Sequence, residues 1–117
     1  MSLAPFLEKI NNKQAIGFDE TMTIIAENYL YEPTEFSNGL NENKIVNPAG
    51  SNEGSCKIFA FAQLNQLDQQ QTLSLFGDFY TLEVLNDLTG TSHQNIRNFI
   101  QYGWDGISFS QQALKKK

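Results

Sequence analysis

The chain has 117 residues, 40% hydrophobic and 12% aromatic, which fits one globular domain with a single modest core and excludes a disordered chain. Its formal net charge is −5, and residues 1–114 carry five basic and thirteen acidic side chains, which argues against nucleic acid as a partner. The single Cys excludes an internal disulfide, and no segment resembles a signal peptide or the roughly 18 apolar residues of a membrane span.

Two amphipathic helices are predicted at the start of the chain. Apolar residues spaced i, i+3, i+4 and i+7 run from Leu3 to Ile10, with Ser2 as the N-cap. Asp19 is predicted to cap the second helix, and Pro33 prevents that helix from continuing. The predicted inward stripe of the second helix comprises Met22, Ile25, Ala26 and Tyr29.

The segment from Thr34 to Gly54 has no helical period. Short extended stretches at residues 35–37 and 44–47 alternate with turn signals at Asn38-Gly39 and at residues 48–50. The pattern predicts short strands joined by turns.

Helix is predicted to resume near Ser55, with Ser55 or Gly54 as the N-cap. All five residues from Ile58 to Ala62 are apolar, so this helix has no polar side at its centre. Such a pattern indicates a central helix, at about residues 55–66, with the other elements packed around it.

Three further helices and a strand are predicted after the central helix. Asp68 and Gln71 form a capping-box pattern before a short helix that ends at Gly77. Residues 81–87 indicate another helix, and Ser92 is predicted to cap the last one. The buried residues of the first of these helices are expected to be Leu73 and Phe76. Those of the last helix are expected to be Ile96, Phe99 and Ile100, and Gly103 is expected to end it. Residues 106–110 alternate in polarity like a strand.

These elements predict a mostly helical α+β domain of five or six short helices around the central helix, with a small sheet of two or three strands. Lys115, Lys116 and Lys117 are interpreted as a short solvated tail on this single domain.

The most distinctive local chemistry lies at the start of the central helix. Cys56 stands there beside Lys57, where the pKa of an exposed thiol falls. A nucleophilic thiol also needs a base, and His93 is the only His, with Asn95 or Asp78 available to orient it. The alternative is a small buried Cys and a surface His at a helix start.

Lys57 also opposes the dipole of the central helix, because it lies in the first turn. It is expected either to pair with Glu53 as a structural bridge or to meet an anion. A phosphate-loop motif fails on spacing, since Gly54 follows Gly50 by four positions and the Lys does not directly follow it. No ligand spacing for zinc or calcium is present, so no metal and no cofactor are expected.

Three strings carry a resemblance to a known family: AGSNEGSCKIFAFAQL, LFGDFY and GTSHQNIRNFIQYGWDGISF. Together with Glu32-Pro33-Thr34-Glu35-Phe36, they are similar to the HopJ type III effector family of small bacterial proteins, over roughly Leu3 to Leu114. The resemblance implies a compact α+β unit and, from the family's name, delivery into host cells by a type III apparatus. It implies no particular reaction and no catalytic residue.

The leading functional expectation is a bacterial cytoplasmic protein that binds a partner or a small ligand, with no membrane contact and with its oligomeric state left open. The helix predicted from about Leu3 leaves no unfolded export segment, which favours this expectation. The alternative is a secreted effector that binds a host protein through an exposed aromatic patch, for which Tyr31, Tyr102 and Trp104 are candidates.

A second alternative is a small enzyme or an anion-binding protein, with its site where the starts of the central and last helices meet. The catalytic candidates are Glu53, Cys56 and His93, and the ligand-binding candidates are Asn52, Lys57, Asn95 and Arg97. This hypothesis requires that the two helix N-termini face one pocket.

Overall fold

Helices and short strands alternate along the chain in the structure, a computed structural model that describes residues 3–117. The α-helices are α1 (Leu3–Asn11), α2 (Phe18–Asn28), α3 (Glu53–Leu64), α4 (Gln69–Ser74) and α5 (Gln94–Tyr102), and a π-helical segment spans Phe79–Val84. The strands are β1 (Tyr29–Tyr31), β2 (Phe36–Asn38), β3 (Ile45–Asn47), β4 (Ser108–Phe109) and β5 (Leu114–Lys116). This arrangement confirms the predicted α+β fold of mostly short helices. The proposed Ser2 cap lies outside the described residues.

The apolar middle of α3 forms the centre of the core, as its sequence predicts. All five residues from Ile58 to Ala62 are buried. The ring of Phe59 contacts the rings of Phe36, Phe76, Phe99 and Trp104, which come from four other parts of the chain. Because these rings meet at one side chain, α3 sets the positions of the elements around it.

Two small antiparallel sheets flank the helices. In the first, β2 lies between β3 and β4, and Ser37 pairs with Val46 on one side and Ser108 on the other. In the second, β1 pairs with β5, with Leu30 opposite Lys115. The second sheet was not predicted, because its strands are three residues long and lie more than 80 positions apart in sequence.

Two of the three C-terminal lysines therefore belong to a strand and do not form only a solvated tail. Lys115 and Lys116 belong to β5, and their side chains are exposed while the backbone is paired. The Nζ atom of Lys116 lies 5.7 Å from the centre of the Tyr29 ring, a cation–π contact across the sheet.

Three predicted helix starts are wrong. Helix α2 begins after Gly17, two residues before the predicted cap Asp19. Helix α3 begins after Asn52 instead of Gly54 or Ser55, and α5 begins after His93 instead of Ser92. The last two errors share a cause, because both helices begin after a residue with left-handed backbone angles, which the usual cap residues do not indicate.

The other predicted caps, buried faces and helix bounds are partly confirmed. The capping box of Asp68 and Gln71 is confirmed, but Ala26 and Ile100 are exposed instead of buried. The helix predicted at residues 81–87 is the π-helical segment, which begins and ends earlier.

Gly77 allows the turn after α4 to pass close to the start of α2. Its φ is +59°, and a Cβ atom added there would lie 2.7 Å from the backbone nitrogen of Phe18 and 3.1 Å from the carbonyl oxygen of Ile16. A side chain is therefore opposed by backbone strain and by a rigid neighbour.

We expect Gly77→Ala to lower the free energy of unfolding by about 3–4 kcal/mol, because the clash adds to the cost of a positive φ. Gly50→Ala is the matched control, since Gly50 also has a positive φ, +88°, but has no atom within 4 Å of the added Cβ. We expect the control to lose only about 1–2 kcal/mol. Urea unfolding of both variants measures the difference, and equal losses would show that close packing at Gly77 contributes nothing.

Candidate functional site

A groove of about 370 Å³ lies where the first turns of α3 and α5 meet. We call it the α3–α5 groove. Its apolar wall comprises Phe18, Ile45, Phe76, Phe79 and Ile96. Its polar wall comprises Asn47, Asn52, Gly54, Ser55, His93, Gln94 and Asn95. Most of the polar residues belong to the two helix starts, so the requirement that both N-termini face one pocket is met.

Buried asparagines form the floor behind this groove. Asn38, Asn47, Asn95 and Asn98 are at most 8% exposed, which is unusual for side chains with three or four hydrogen-bonding positions. We call these four residues the asparagine cluster. Buried amides are stable only when they are hydrogen-bonded, and here they bond mainly to one another and to the backbone.

The centre of the cluster is a reciprocal pair of amides. Asn47 donates to Oδ1 of Asn95 at 3.1 Å, and Asn95 donates to Oδ1 of Asn47 at 3.0 Å. Asn38 donates to the same Asn95 side chain at 3.1 Å and to its backbone carbonyl at 2.7 Å. Asn52 donates to Oδ1 of Asn47 at 2.7 Å. The cluster thus links β2, β3, the residue before α3 and the first turn of α5.

Asn98 extends the cluster to the turn after β2. Its amide nitrogen donates to the carbonyls of Asn38 and Asn43, at 3.1 and 2.8 Å. Gly39 makes this approach possible, because a Cβ there would lie 2.7 Å from Nδ2 of Asn98. The predicted Asn38-Gly39 turn is therefore also a packing site for α5.

The starts of α3 and α5 have no side-chain cap. Asn52 and His93 stand at the N-cap positions with φ of 50° and 52°, and neither side chain accepts a hydrogen bond from its helix. By contrast, the shorter α4 has a complete capping box, in which Asp68 Oδ1 accepts from the Gln71 N–H at 2.7 Å. First-turn N–H groups have no intrahelical acceptor, so the uncapped starts present donors at the groove.

His93 closes one end of the groove. Its Nε2 atom lies 2.8 Å from Oε1 of Glu83, and its ring lies 5.2 Å from the ring of Phe79. An ionised carboxylate only accepts hydrogen bonds, so Nε2 is the donor of this pair. The π-helical segment thus holds His93 through two of its residues.

Cys56 faces away from the groove. Its side chain is 1% exposed, and its Sγ atom lies 3.6 Å from the Thr34 carbonyl oxygen, to which it donates. Burial raises the pKa of this thiol, opposite to the shift that a nucleophilic cysteine needs. No hydrogen bond joins it to His93. The structure therefore does not bring the two members of the proposed dyad together.

Glu53 and Lys57 lie near Cys56 and also outside the groove lining. They form no ion pair with each other, so the predicted structural bridge is absent from this described part of α3. Instead, Nζ of Lys57 lies 4.7 Å from the centre of the Tyr31 ring. The Tyr31 hydroxyl is buried beside Glu53 and Cys56 without a hydrogen bond of normal geometry, and its burial and the nearby carboxylate raise its pKa.

Arg97 and Asp78, two other predicted participants, do not line the groove either. The guanidinium of Arg97 donates to the Asp87 carbonyl at 2.6 Å and to the Ser92 carbonyl, and it lies 3.9 Å from the Asp87 carboxylate. Arg97 therefore stabilises the loop before α5. Asp78 is exposed at the start of the π-helical segment.

The three aromatic candidates for a protein-binding patch are partly buried instead of openly exposed. Trp104 donates from its indole to the Leu67 carbonyl at 3.1 Å and packs against Phe99. The Tyr102 hydroxyl accepts from Asn43 at 2.6 Å, and Tyr31 contacts Lys57 as described above.

Some groove residues were not identified from the sequence. Asn47 lies at the end of a predicted extended stretch, just before a turn signal, where Asn is common for backbone reasons. Ser55 was interpreted only as a possible cap, and Phe18 and Phe79 were assigned no role. Nothing in their spacing indicates a shared site, because the groove joins segments from five parts of the chain.

Residues 3–117 contain neither a side-chain cluster suited to a metal ion nor a helix suited to span a membrane. No group of three or more His, Cys, Asp and Glu side chains within residues 3–117 is placed to hold a metal ion. No helix of this part is both long and apolar enough to cross a membrane.

One family model matches nearly the whole chain. A family model described as "HopJ type III effector protein" matches residues 3–114. The crystal structure of a protein of unknown function, VPA0580, has 45% sequence identity and a TM-score of 0.94, and the match covers 100% of this chain and 95% of that one. The search of curated proteins found no match.

We expect Cys56 to be almost inert in the folded protein, because its thiol is buried and its pKa is raised. Its reaction with a disulfide reagent should be slower by on the order of 100-fold or more than in the urea-unfolded chain. A stopped-flow series from pH 6 to 10 measures this. Rapid modification at neutral pH in the folded state would contradict the buried position.

We expect Asn95→Ala to lower the free energy of unfolding by about 2–4 kcal/mol, because buried amides of Asn38 and Asn47 lose hydrogen-bond partners. Asn86→Ala, at an exposed loop position, is the control and should change stability by no more than about 0.5 kcal/mol. Urea unfolding compares the two. A similar small effect for both would mean that the asparagine cluster does not stabilise the fold.

Proposed function

The chain belongs to the HopJ type III effector protein family, and we propose that it binds a small molecule with hydrogen-bond acceptor groups in the α3–α5 groove. The ligand combines an acceptor end, such as a carboxylate, with a flat apolar part. The observation that carries this proposal is the pair of uncapped helix starts at one groove that also has aromatic walls.

The contrast with α4 supports the importance of the uncapped starts. The sequence provides a full capping box for a helix of six residues but no side-chain cap for helices of twelve and nine residues. A missing cap costs a helix about 1 kcal/mol. A bound acceptor group would satisfy these N–H groups and offset that cost, and the partial positive charge of each helix start favours an anionic oxygen.

The polar wall offers a ligand the first-turn N–H groups of α3 and α5 as donors, whereas the Asn47 amide is already occupied. Both positions of the Asn47 amide are used within the protein, because it bonds to Asn52, Asn95 and the Phe36 carbonyl. The Ser55 hydroxyl also lines the groove, and no side chain or backbone group among residues 3–117 forms a hydrogen bond with it. A ligand rich in acceptors therefore complements this wall best.

The apolar wall favours a flat group beside the acceptor. The rings of Phe18 and Phe79 meet edge to face with centres 5.0 Å apart, and the His93 ring extends this surface. Gly54 contributes by its lack of a side chain, because a Cβ there would lie 2.9 Å from the Phe18 ring. Aromatic and apolar walls with a few fixed polar groups are typical of small-molecule sites.

No Asp, Glu, Lys or Arg stands among the residues that line the groove. Recognition therefore depends on backbone dipoles and neutral side chains, with His93 as the one titratable group of the lining. We expect modest affinity for simple acids such as benzoate, since a small ligand offers few contacts.

We expect Ser55→Glu to abolish binding of small aromatic acids while leaving the fold intact. The new carboxylate stands in the first turn of α3, where it stabilises the helix start and occupies the donors that a ligand would use. The measurement is a titration of ¹⁵N-labelled protein with benzoate, benzamide and inorganic phosphate. Chemical-shift changes should centre on Gly54, Ser55, Gln94 and Asn95 in the unmodified protein.

Thr23→Glu is the matched control, because it adds the same charge at an exposed position of α2. It should retain the shifts caused by the acids. The proposal fails if none of the three probes perturbs the groove amides, or if Ser55→Glu and Thr23→Glu respond alike. Stronger shifts with phosphate than with benzoate would overturn the flat apolar part of the assignment.

A further inference from the structure

Three exposed leucines lie on one surface segment beside the groove. Leu82, Leu85 and Leu88 are 55%, 42% and 75% exposed, and we call them the leucine patch. The same segment is anchored to the core by Tyr80 and Val84, which are buried. Packing of the core therefore does not explain the leucines, and neighbouring exposed apolar side chains are typical of contact surfaces.

The charged side chains of the segment that carries the leucine patch are all acidic. Asp78, Glu83 and Asp87 are exposed on the same segment, and no Lys or Arg occurs between Lys57 and Arg97. Arg97 faces Asp87 and donates to the backbone of its loop. The patch is thus an apolar surface with an acidic border.

From this combination we propose that the leucine patch docks an amphipathic segment of a partner protein whose apolar residues are flanked by Lys or Arg. The apolar side chains of the partner cover the leucines, and its cations meet Asp78, Glu83 and Asp87. Apolar anchors with complementary charges around them are the usual form of such an interface.

The acidic border also disfavours a second copy of this chain or an anionic membrane as the binding partner of the leucine patch. A second copy of this chain would bring the same acidic side chains against the patch, and an anionic membrane surface would repel them. The chain's own run of lysines belongs to β5, where Lys115 and Lys116 pair with β1. The leucines do not line the α3–α5 groove, although Phe79 of the same segment does and Glu83 contacts His93 of its lining.

The test uses a short synthetic peptide of Leu and Lys with a helical period, labelled with fluorescein. Its binding to the full chain is measured by fluorescence anisotropy at low salt. We expect the variant Leu82→Ser/Leu85→Ser/Leu88→Ser to bind at least about tenfold more weakly. The control Leu30→Ser/Val46→Ser/Leu64→Ser removes exposed apolar residues elsewhere and should stay within about twofold of the unmodified protein.

A second pair of variants tests the acidic border. We expect Asp78→Asn/Asp87→Asn to weaken binding several-fold and to reduce its dependence on salt. Asp19→Asn/Glu42→Gln removes the same number of charges from exposed positions on other surfaces and should have little effect. A peptide with Glu in place of Lys should bind much more weakly than the Lys peptide.

Several results would overturn the proposal. These are no detectable binding by the unmodified protein, equal weakening by the patch variant and its control, or equal binding of the Lys and Glu peptides. Sedimentation that shows a dimer which the patch variant dissociates would identify a second copy as the occupant instead. If the triple variant does not fold by circular dichroism, Leu88→Ser alone replaces it, because Leu88 is the most exposed of the three.

Discussion

The asparagine cluster is the constraint on which the candidate site depends. A single amide pair, Asn47 with Asn95, ties the end of β3 to the first turn of α5, and Asn52 joins the same pair from the start of α3. Asn suits this place because one short side chain both donates and accepts without carrying charge. Burying charged groups there would cost far more than burying neutral amides that bond mainly to one another, with Oδ1 of Asn38 as the one side-chain atom of the cluster that lacks a partner.

The N-cap side chains of α3 and α5 are bonded elsewhere, so both helices begin without a side-chain cap. In most helices the N-cap side chain turns back to its own first turn, but the Asn52 side chain bonds to Asn47 instead. The ring of His93 similarly contacts Glu83 and Phe79. Both N-cap residues adopt left-handed backbone angles, which Asn and His tolerate better than most residues. Their side chains thus hold the walls of the groove, and the helix starts remain open to it.

Much of the fold could be predicted from local patterns, whereas only part of the site could. The apolar run of α3, the capping box of α4 and the strands on either side of Asn38-Gly39 follow rules that operate over a few residues. The starts of α3 and α5 meet the condition that the enzyme or anion-site hypothesis sets, since they line one groove, and Asn52, His93 and Asn95 are in that lining. Cys56 and Lys57 are not, because successive residues of a helix are about 100° apart and point to different neighbours. Their distinctive sequence neighbourhood reflects packing near Tyr31 and Thr34.

The sequence by itself determined the family, through long strings of specific residues. It also determined the α+β class and the burial of α3, because these depend on short periodic patterns. Only the tertiary structure decided that Lys115 and Lys116 form a strand with β1, and that Asn38, Asn47, Asn95 and Asn98 meet in the interior. It also decided that the groove opens on the side away from Cys56. Each of these features joins residues dozens of positions apart. Amide pairs and three-residue strands gain stability only when the rest of the chain brings their residues together, so no local sequence pattern predicts them.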